Sequence, residues 1–201
     1  PSLTVAGPGV RTRSVTVPQL SNAAHVLQEG RRTHTYAKRE LPNYQVFDER
    51  RYFTPGQSRC VFQVGEGAAR VSVGLLICED AWFDEPAQLA KDAGAELLVV
   101  INASPFHAGK GAEREDMMRC RTLATGLPLV FAHLVGGQDE VVFEGHSFAM
   151  QADGTLAGRA VSFQEALIDV TATRSSAGTL SLTADMAPVR SIEADLWDAL
   201  V

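Results

Sequence analysis

Apolar positions along the chain fall into blocks of two alternating kinds. Val71 to Ile77 is a nearly continuous apolar run rich in β-branched residues, the pattern of a parallel strand covered on both faces. Residues 97–101 and 129–132 repeat that pattern. Between them the period lengthens. Residues 84–93, with Pro86 in the first turn and Gly94 just beyond, predict a helix, as do residues 112–125, stopped by Gly126 and Pro128. Strands alternating with helices make the expected class α/β. Antiparallel pieces flank this centre. Residues 23–27 and 33–37 around Glu29-Gly30 predict a hairpin, and residues 147–151 and 156–160 around Asp153-Gly154 predict a second. Residues 166–170 predict one more strand. Residues 41–56, with Pro42, Asn43, Pro55 and Gly56, predict a long ordered loop of the kind that carries function. Beyond Val170 the chain turns rich in Ser, Thr and Ala, which predicts an extended exit segment, with a helical pattern only at residues 192–201.

Composition narrows the classes. The chain's 201 residues suffice for one packed domain. Eighteen basic against twenty-four acidic residues give a net charge of −6, which argues against nucleic acid or an anionic membrane as partner. No apolar run reaches spanning length, and the amino terminus lacks a signal-peptide pattern. Three cysteines without C-x-x-C spacing imply a reducing, cytoplasmic setting, and five histidines without ligand spacing imply no metal site.

The chemistry concentrates at Cys78, where an apolar strand ends and Glu79 and Asp80 follow at once. Strand ends are where α/β folds meet ligands. Cysteine otherwise packs as a small hydrophobe, the role that Cys60 and Cys120 fit. Both neighbouring carboxylates would raise the thiol pKa, so a nucleophilic Cys78 requires a cation or base from elsewhere in the chain.

Four segments point to one source for it: Lys38 through Phe53, containing Leu41-Pro42-Asn43-Tyr44-Gln45-Val46-Phe47-Asp48-Glu49; Leu76-Ile77-Cys78-Glu79-Asp80-Ala81-Trp82-Phe83; Asn102-Ala103-Ser104-Pro105-Phe106-His107-Ala108-Gly109-Lys110; and Val135-Gly136-Gly137-Gln138-Asp139-Glu140. In this order, within residues 22–170, they resemble the nitrilase or carbon–nitrogen hydrolase superfamily, and within it the glutaminase domains of glutamine-dependent NAD synthetases. The resemblance implies a nitrilase-like αββα sandwich. It implies Cys78 as nucleophile, Lys38 as the cation at the oxyanion, the backbone N–H of Glu79 as a second oxyanion donor, and Glu49 as the glutamate holding the lysine. Tyr44, Ser104 and Lys110 correspond to positions that contact glutamine, Lys110 as counter-ion of its carboxylate. Each has a plain alternative as a core tyrosine, a strand-end cap or a surface lysine.

The chain also departs from the family pattern. The general-base glutamate of the family lies well upstream of the lysine, but the only acidic residue before Lys38 is Glu29, in a predicted hairpin turn. Pro1-Ser2-Leu3-Thr4-Val5 resembles the family's third strand. The expected organisation is therefore an incomplete glutaminase domain over residues 1–170. Residues 171–201 then lead toward an absent ATP-dependent synthetase domain, which is where ATP and deamido-NAD would bind; no cofactor is expected in this chain. The expected partners are L-glutamine, the synthetase domain that receives ammonia, and further copies of the chain in a homo-oligomer. Loss of a general base is worth about 10²–10⁴-fold in rate, so the isolated chain is expected to be weakly active or inactive unless another chain supplies the missing part. His133 and Leu134 stand where relatives carry Asn-Gln. Two other readings stay open: a stand-alone amidase for a small amide, and a non-catalytic assembly module. Gly145-His146-Ser147-Phe148-Ala149 lacks the last glycine of a serine nucleophile elbow.

Overall fold

Strand β6 (Val71–Ile77) forms because its residues are apolar toward both faces, and both faces are covered. The computed structural model describes residues 20–201, with the backbone of β1 (Ser2–Leu3) and β2 (Val15–Thr16), which pair antiparallel. The expected strand at residues 1–5 otherwise lies outside the described residues. Hairpin β3 (Ala23–Gln28) and β4 (Arg31–Ala37) turns at Glu29-Gly30 as predicted, with both turn residues at positive φ. The 41–56 segment is largely irregular, with one short helix, α1 (Glu49–Tyr52). It returns to the hairpin at Gly56, where a Cβ would sit 2.1 Å from the Ala37 carbonyl oxygen, so only glycine fits.

A six-stranded mixed sheet follows in the order β12-β11-β8-β7-β6-β5. Here β5 is Val61–Val64, β7 Leu97–Asn102, β8 Leu129–His133, β11 Phe148–Met150 and β12 Leu156–Arg159. The central trio β6, β7 and β8 is parallel and the flanking strands are antiparallel. Helices α2 (Asp84–Asp92) and α3 (Lys110–Thr125) connect the parallel strands. One core joins Leu76, Leu98, Val100, Leu129 and Phe131 to Ala87, Ala90 and Met118 of the helices. Gly74 permits this contact, since a Cβ there would lie 2.9 Å from that of Ala90. The opposite face packs Leu75, Ile77 and Cys78 with Cys60 beneath Tyr36, Ala24 and Val26 of the β3–β4 hairpin. The fold is α/β, with helical, mixed-sheet and hairpin layers among the described residues.

Three sequence expectations are corrected. Residues 166–170 form no strand, and Leu167 is exposed. The chain beyond Val170 is not simply extended: β13 (Thr171–Arg174) and β14 (Leu180–Thr183) make a hairpin whose Leu180 and Leu182 are buried. Its pairing and anchoring decide the matter: Gln151 exchanges two hydrogen bonds with the Leu182 backbone, and Arg174 donates to Glu96 and to the Arg70 carbonyl. Cys120 is exposed rather than packed, because α3 buries Arg114, Met118, Arg121, Thr122 and Thr125 instead. The short strands β9 (Val135–Gln138) and β10 (Val141–Glu144) pair beside the site. A last helix, α4 (Ile192–Leu200), starts at Ser191, whose hydroxyl accepts from the Ala194 N–H. Among the described residues no helix is long and apolar enough to cross a membrane.

Candidate active site

The parallel register brings the strand ends into one row. Ile77 pairs with Ile101, and Asn102 with His133, so Cys78, the 102–104 segment and His133 meet at the carboxyl edge of the sheet. Cys78 leaves the strand with φ 46° and opens a 3-10 turn through Trp82. A non-glycine residue in the left-handed region is strained, and such strain persists where surrounding contacts dictate it. The contacts here come from Asp80. Its fully buried carboxylate accepts from the Tyr36 hydroxyl at 2.9 Å and from the backbone N–H groups of Arg39, Glu40 and Ile77 at 3.0, 2.8 and 3.1 Å. Asp80 thus ties the turn that opens at Cys78 to the segment carrying Lys38. Burial raises its pKa against these four bonds.

Lys38 is not a solvated loop residue. It is 1% exposed, and its Nζ donates to Glu49 Oε1 at 2.6 Å. Helix α1 supplies that glutamate, and Asn22 Nδ2 reaches its other oxygen at 3.4 Å. The Cys78 thiol is pushed up by burial, opposed by the Lys38 charge and the Ala103 backbone, and pushed further by Glu79 and Glu49. At neutral pH the resting sulfur therefore carries its proton.

Two cavities meet at Cys78, which lines both together with Phe47. The larger, about 530 Å³, brings Tyr44, Glu79, Ser104 and Lys110 together. Tyr44 is 51% exposed, and its hydroxyl donates to Glu79 Oε1 at 2.8 Å. Burial, then that hydrogen bond, raises the Tyr44 pKa, so the phenol stays protonated. Ser104 is buried, and its Oγ accepts from Asn102 Nδ2 at 2.9 Å and Arg114 Nε at 3.1 Å. Arg114 is clamped in turn by Glu144. Lys110 Nζ lies 2.9 Å from Glu113 Oε2 and 4.2 Å from the centre of the Trp82 ring.

The structure thus brings together every residue singled out in the sequence: Cys78, Lys38, Glu49, Glu79, Tyr44, Ser104 and Lys110 all line one cavity or the other. Sequence reasoning missed Trp82, Glu113 and the organising role of Asp80. The spacing of Lys110 and Glu113, three apart at a helix start, is a readable signal for a facing pair. No local pattern distinguishes Asp80 from Glu79.

The second cavity, about 420 Å³, is lined by Lys38, Glu49, Cys78, Asn102, His133 and Leu134 among others. His133 is buried, its Nδ1 lies 2.7 Å from the Leu134 carbonyl, and its Nε2 has no partner. Burial and the nearby Arg114 charge lower its pKa to about 4, so it is neutral at physiological pH. Among the described residues no group of three or more His, Cys, Asp or Glu could hold a metal ion.

Residues 3–181 match the carbon-nitrogen hydrolase family profile. The chain is 43% identical over 182 residues to a glutamine-dependent NAD(+) synthetase of Xylella fastidiosa, covering 90% of this chain and 33% of that protein. It is 49% identical over 144 residues to a glutamine-dependent NAD(+) synthetase of Xanthomonas campestris, covering 71% of this chain and 25% of that protein. The solved glutamine-dependent NAD+ synthetase of Acinetobacter baumannii superposes with a TM-score of 0.78 at 29% identity, over 99% of this chain and 35% of that one. A carbon-nitrogen hydrolase from Helicobacter pylori shares the fold, with a TM-score of 0.59 at 23% identity over 89% of this chain and 59% of that one. The chain spans about a third of the first of these curated relatives and less of the second.

Proposed function

We propose that this chain, which belongs to the carbon–nitrogen hydrolase family, is the glutamine-hydrolysing part of a glutamine-dependent NAD synthetase. One observation carries the reading. A buried cation, Lys38, and a strained cysteine share a site with an open cavity that presents Lys110, Tyr44 and Ser104. A lysine in that cavity suits a substrate with a carboxylate, which a simple amide lacks.

The chemistry follows from the groups present. Cys78 Sγ attacks the side-chain amide carbon of glutamine, and the carbonyl oxygen becomes an oxyanion. Lys38 Nζ, itself buried, and the Glu79 N–H stabilise it as fixed donors already in place. The C–N bond breaks, the thiol proton ends on the departing nitrogen, and ammonia leaves. Water then hydrolyses the thioester to glutamate and regenerates the thiol. A synthetase domain would consume the ammonia and bind ATP and deamido-NAD, in the cytoplasm and in an assembly of several copies. The three carboxylates lining the two cavities are already engaged, Glu49 by Lys38, Glu79 by Tyr44 and Glu113 by Lys110. None is free to move the thiol proton, so we infer turnover about 10²–10⁴-fold below that of a site with a free base.

The test is ammonia release from glutamine and from a panel of simple amides, with mass spectrometry of the chain after exposure to a glutamine-analogue electrophile. The expected result is slow release from glutamine, none from Cys78→Ala, and a covalent adduct on Cys78 alone. Equal labelling of Cys60 and Cys120, or release from simple amides in preference to glutamine, would overturn the assignment.

A further inference from the structure

We propose that Glu113 is the specificity residue of this site, receiving the α-ammonium of the substrate while Lys110 takes its α-carboxylate, so that the pair reads an amino-acid zwitterion. The inference deepens the reading of the site as a glutamine pocket and rests on it. In an α-amino acid both charges sit on one carbon, so the groups that receive them must be neighbours of opposite sign. Lys110 and Glu113 are such neighbours in the larger cavity, 2.9 Å apart and three residues apart at the start of α3. The other carboxylate lining that cavity, Glu79, already accepts the Tyr44 hydroxyl.

The resting pair is built to be exchanged. The Glu113 side chain is 49% exposed, so its attraction to Lys110 is screened by solvent. A bound zwitterion would give each partner a new counter-ion at little cost in broken contacts. Lys110 does not collapse away meanwhile, because its ammonium rests on the face of Trp82. Ligands with one charge fare worse. A substrate with a carboxylate but no ammonium must pull Lys110 from Glu113 and leaves that carboxylate with only the more distant His107, whose Nε2 lies 3.8 Å from Glu113 Oε2. One with an ammonium but no carboxylate leaves Lys110 in the same position.

Protection of Cys78 from iodoacetamide tests this without requiring turnover, with exposed Cys120 as internal control. The probes are glutamine; glutaramate, which is glutamine without its α-ammonium; and 4-aminobutanamide, which lacks the carboxylate. In the wild-type chain glutamine should protect Cys78 at a concentration at least about tenfold lower than either analogue, as loss of one charge-assisted hydrogen bond predicts. In Glu113→Gln the half-protecting concentration of glutamine should rise about tenfold or more, while that of glutaramate stays or falls because Lys110 is released. If glutamine protects the wild type but Glu113→Gln weakens both ligands alike, or changes neither, Glu113 has no such role and the glutamine reading stands. Absence of protection by glutamine in the wild type would overturn the glutamine reading and this inference with it.

Discussion

On one side of Cys78 the ion pair Lys38–Glu49 is shut away, with Lys38 1% exposed; on the other the pair Lys110–Glu113 lies open, with Glu113 about half exposed. The two pairs use the same charges at similar distances, 2.6 and 2.9 Å, yet burial gives them opposite uses. In a low-dielectric setting a fixed cation acts strongly on charge that develops nearby, and its desolvation makes it expensive to leave without a partner. In a solvated setting the attraction is weak and the partner is replaceable. A group that stabilises a transition state belongs to the first setting, and a group that must let go of one anion to bind another belongs to the second.

The sharpest way to break this comparison is Lys38→Met. Methionine fills a similar volume but leaves the largely enclosed Glu49 carboxylate without its cation. The expected cost is about 3–5 kcal/mol of stability by urea unfolding, with loss of Cys78 labelling by a glutamine-analogue electrophile. Adding Glu49→Leu should restore most of the stability and none of the reactivity. A loss below about 1 kcal/mol for the single variant would place Lys38–Glu49 in the same class as a surface pair.

His133, on the enclosed side, sharpens the comparison through pH. Its folded pKa of about 4 lies below the ordinary value of 6.5 because burial and Arg114 disfavour the imidazolium. Above pH 6.5 the ring is neutral in both folded and unfolded chains, and the site costs nothing. As pH falls, the unfolded chain takes up a proton that the folded chain refuses, so stability is lost progressively down to about pH 4. The difference in pKa corresponds to about 3 kcal/mol in all. His133→Asn keeps a donor toward the Leu134 carbonyl and removes the titration. Between pH 7 and pH 4.5 the wild type should lose about 2–2.5 kcal/mol more stability than the variant by urea unfolding. Equal losses would show that the imidazole is not excluded from charging.

Elements governed by local periodicity were legible from the chain alone. Helix α2 and strands β6, β7 and β8 have their expected places to within a residue or two, because a doubly covered strand must be apolar throughout and a helix must stop where Gly94 takes φ 90°. Position beyond the element was less legible. Residues 166–170 carry more apolar side chains than Thr171–Arg174, yet the latter form the strand, since pairing with β14 and the Arg174 contacts outweigh composition. Cys120 was placed inside because helical burial usually follows apolar residues, whereas α3 buries two arginines through their partners Glu144 and Asp84. At the site, motif spacing singled out Cys78 and Lys38, which line one cavity together. It could not separate Glu79, which faces the cavity, from Asp80, which turns inward to four donors. Adjacent residues in a 3-10 turn diverge in direction, and their side-chain types carry no record of which way each points.

The smallest expected effect on the fold is that of Lys110→Gln, and it completes the comparison from the open side. The lost interactions are a half-exposed ion pair with Glu113 and a contact with the Trp82 face. Pairs of this kind contribute about 0.2–1 kcal/mol, and an exposed cation–π contact about 0.5–1 kcal/mol, part of which the glutamine side chain regains by packing on the same ring. Stability should therefore fall by about 1 kcal/mol or less, several-fold below the cost of Lys38→Met. Ligand recognition should behave the other way. The half-protecting concentration of glutamine for Cys78 should rise about tenfold or more, since a charged hydrogen bond to its carboxylate is lost. Protection by 4-aminobutanamide, which has no carboxylate, should be unchanged or improved. A variant that unfolds as readily as Lys38→Met would show that Lys110 is held by the fold rather than reserved for a ligand, and the distinction between the two sides of Cys78 would fail.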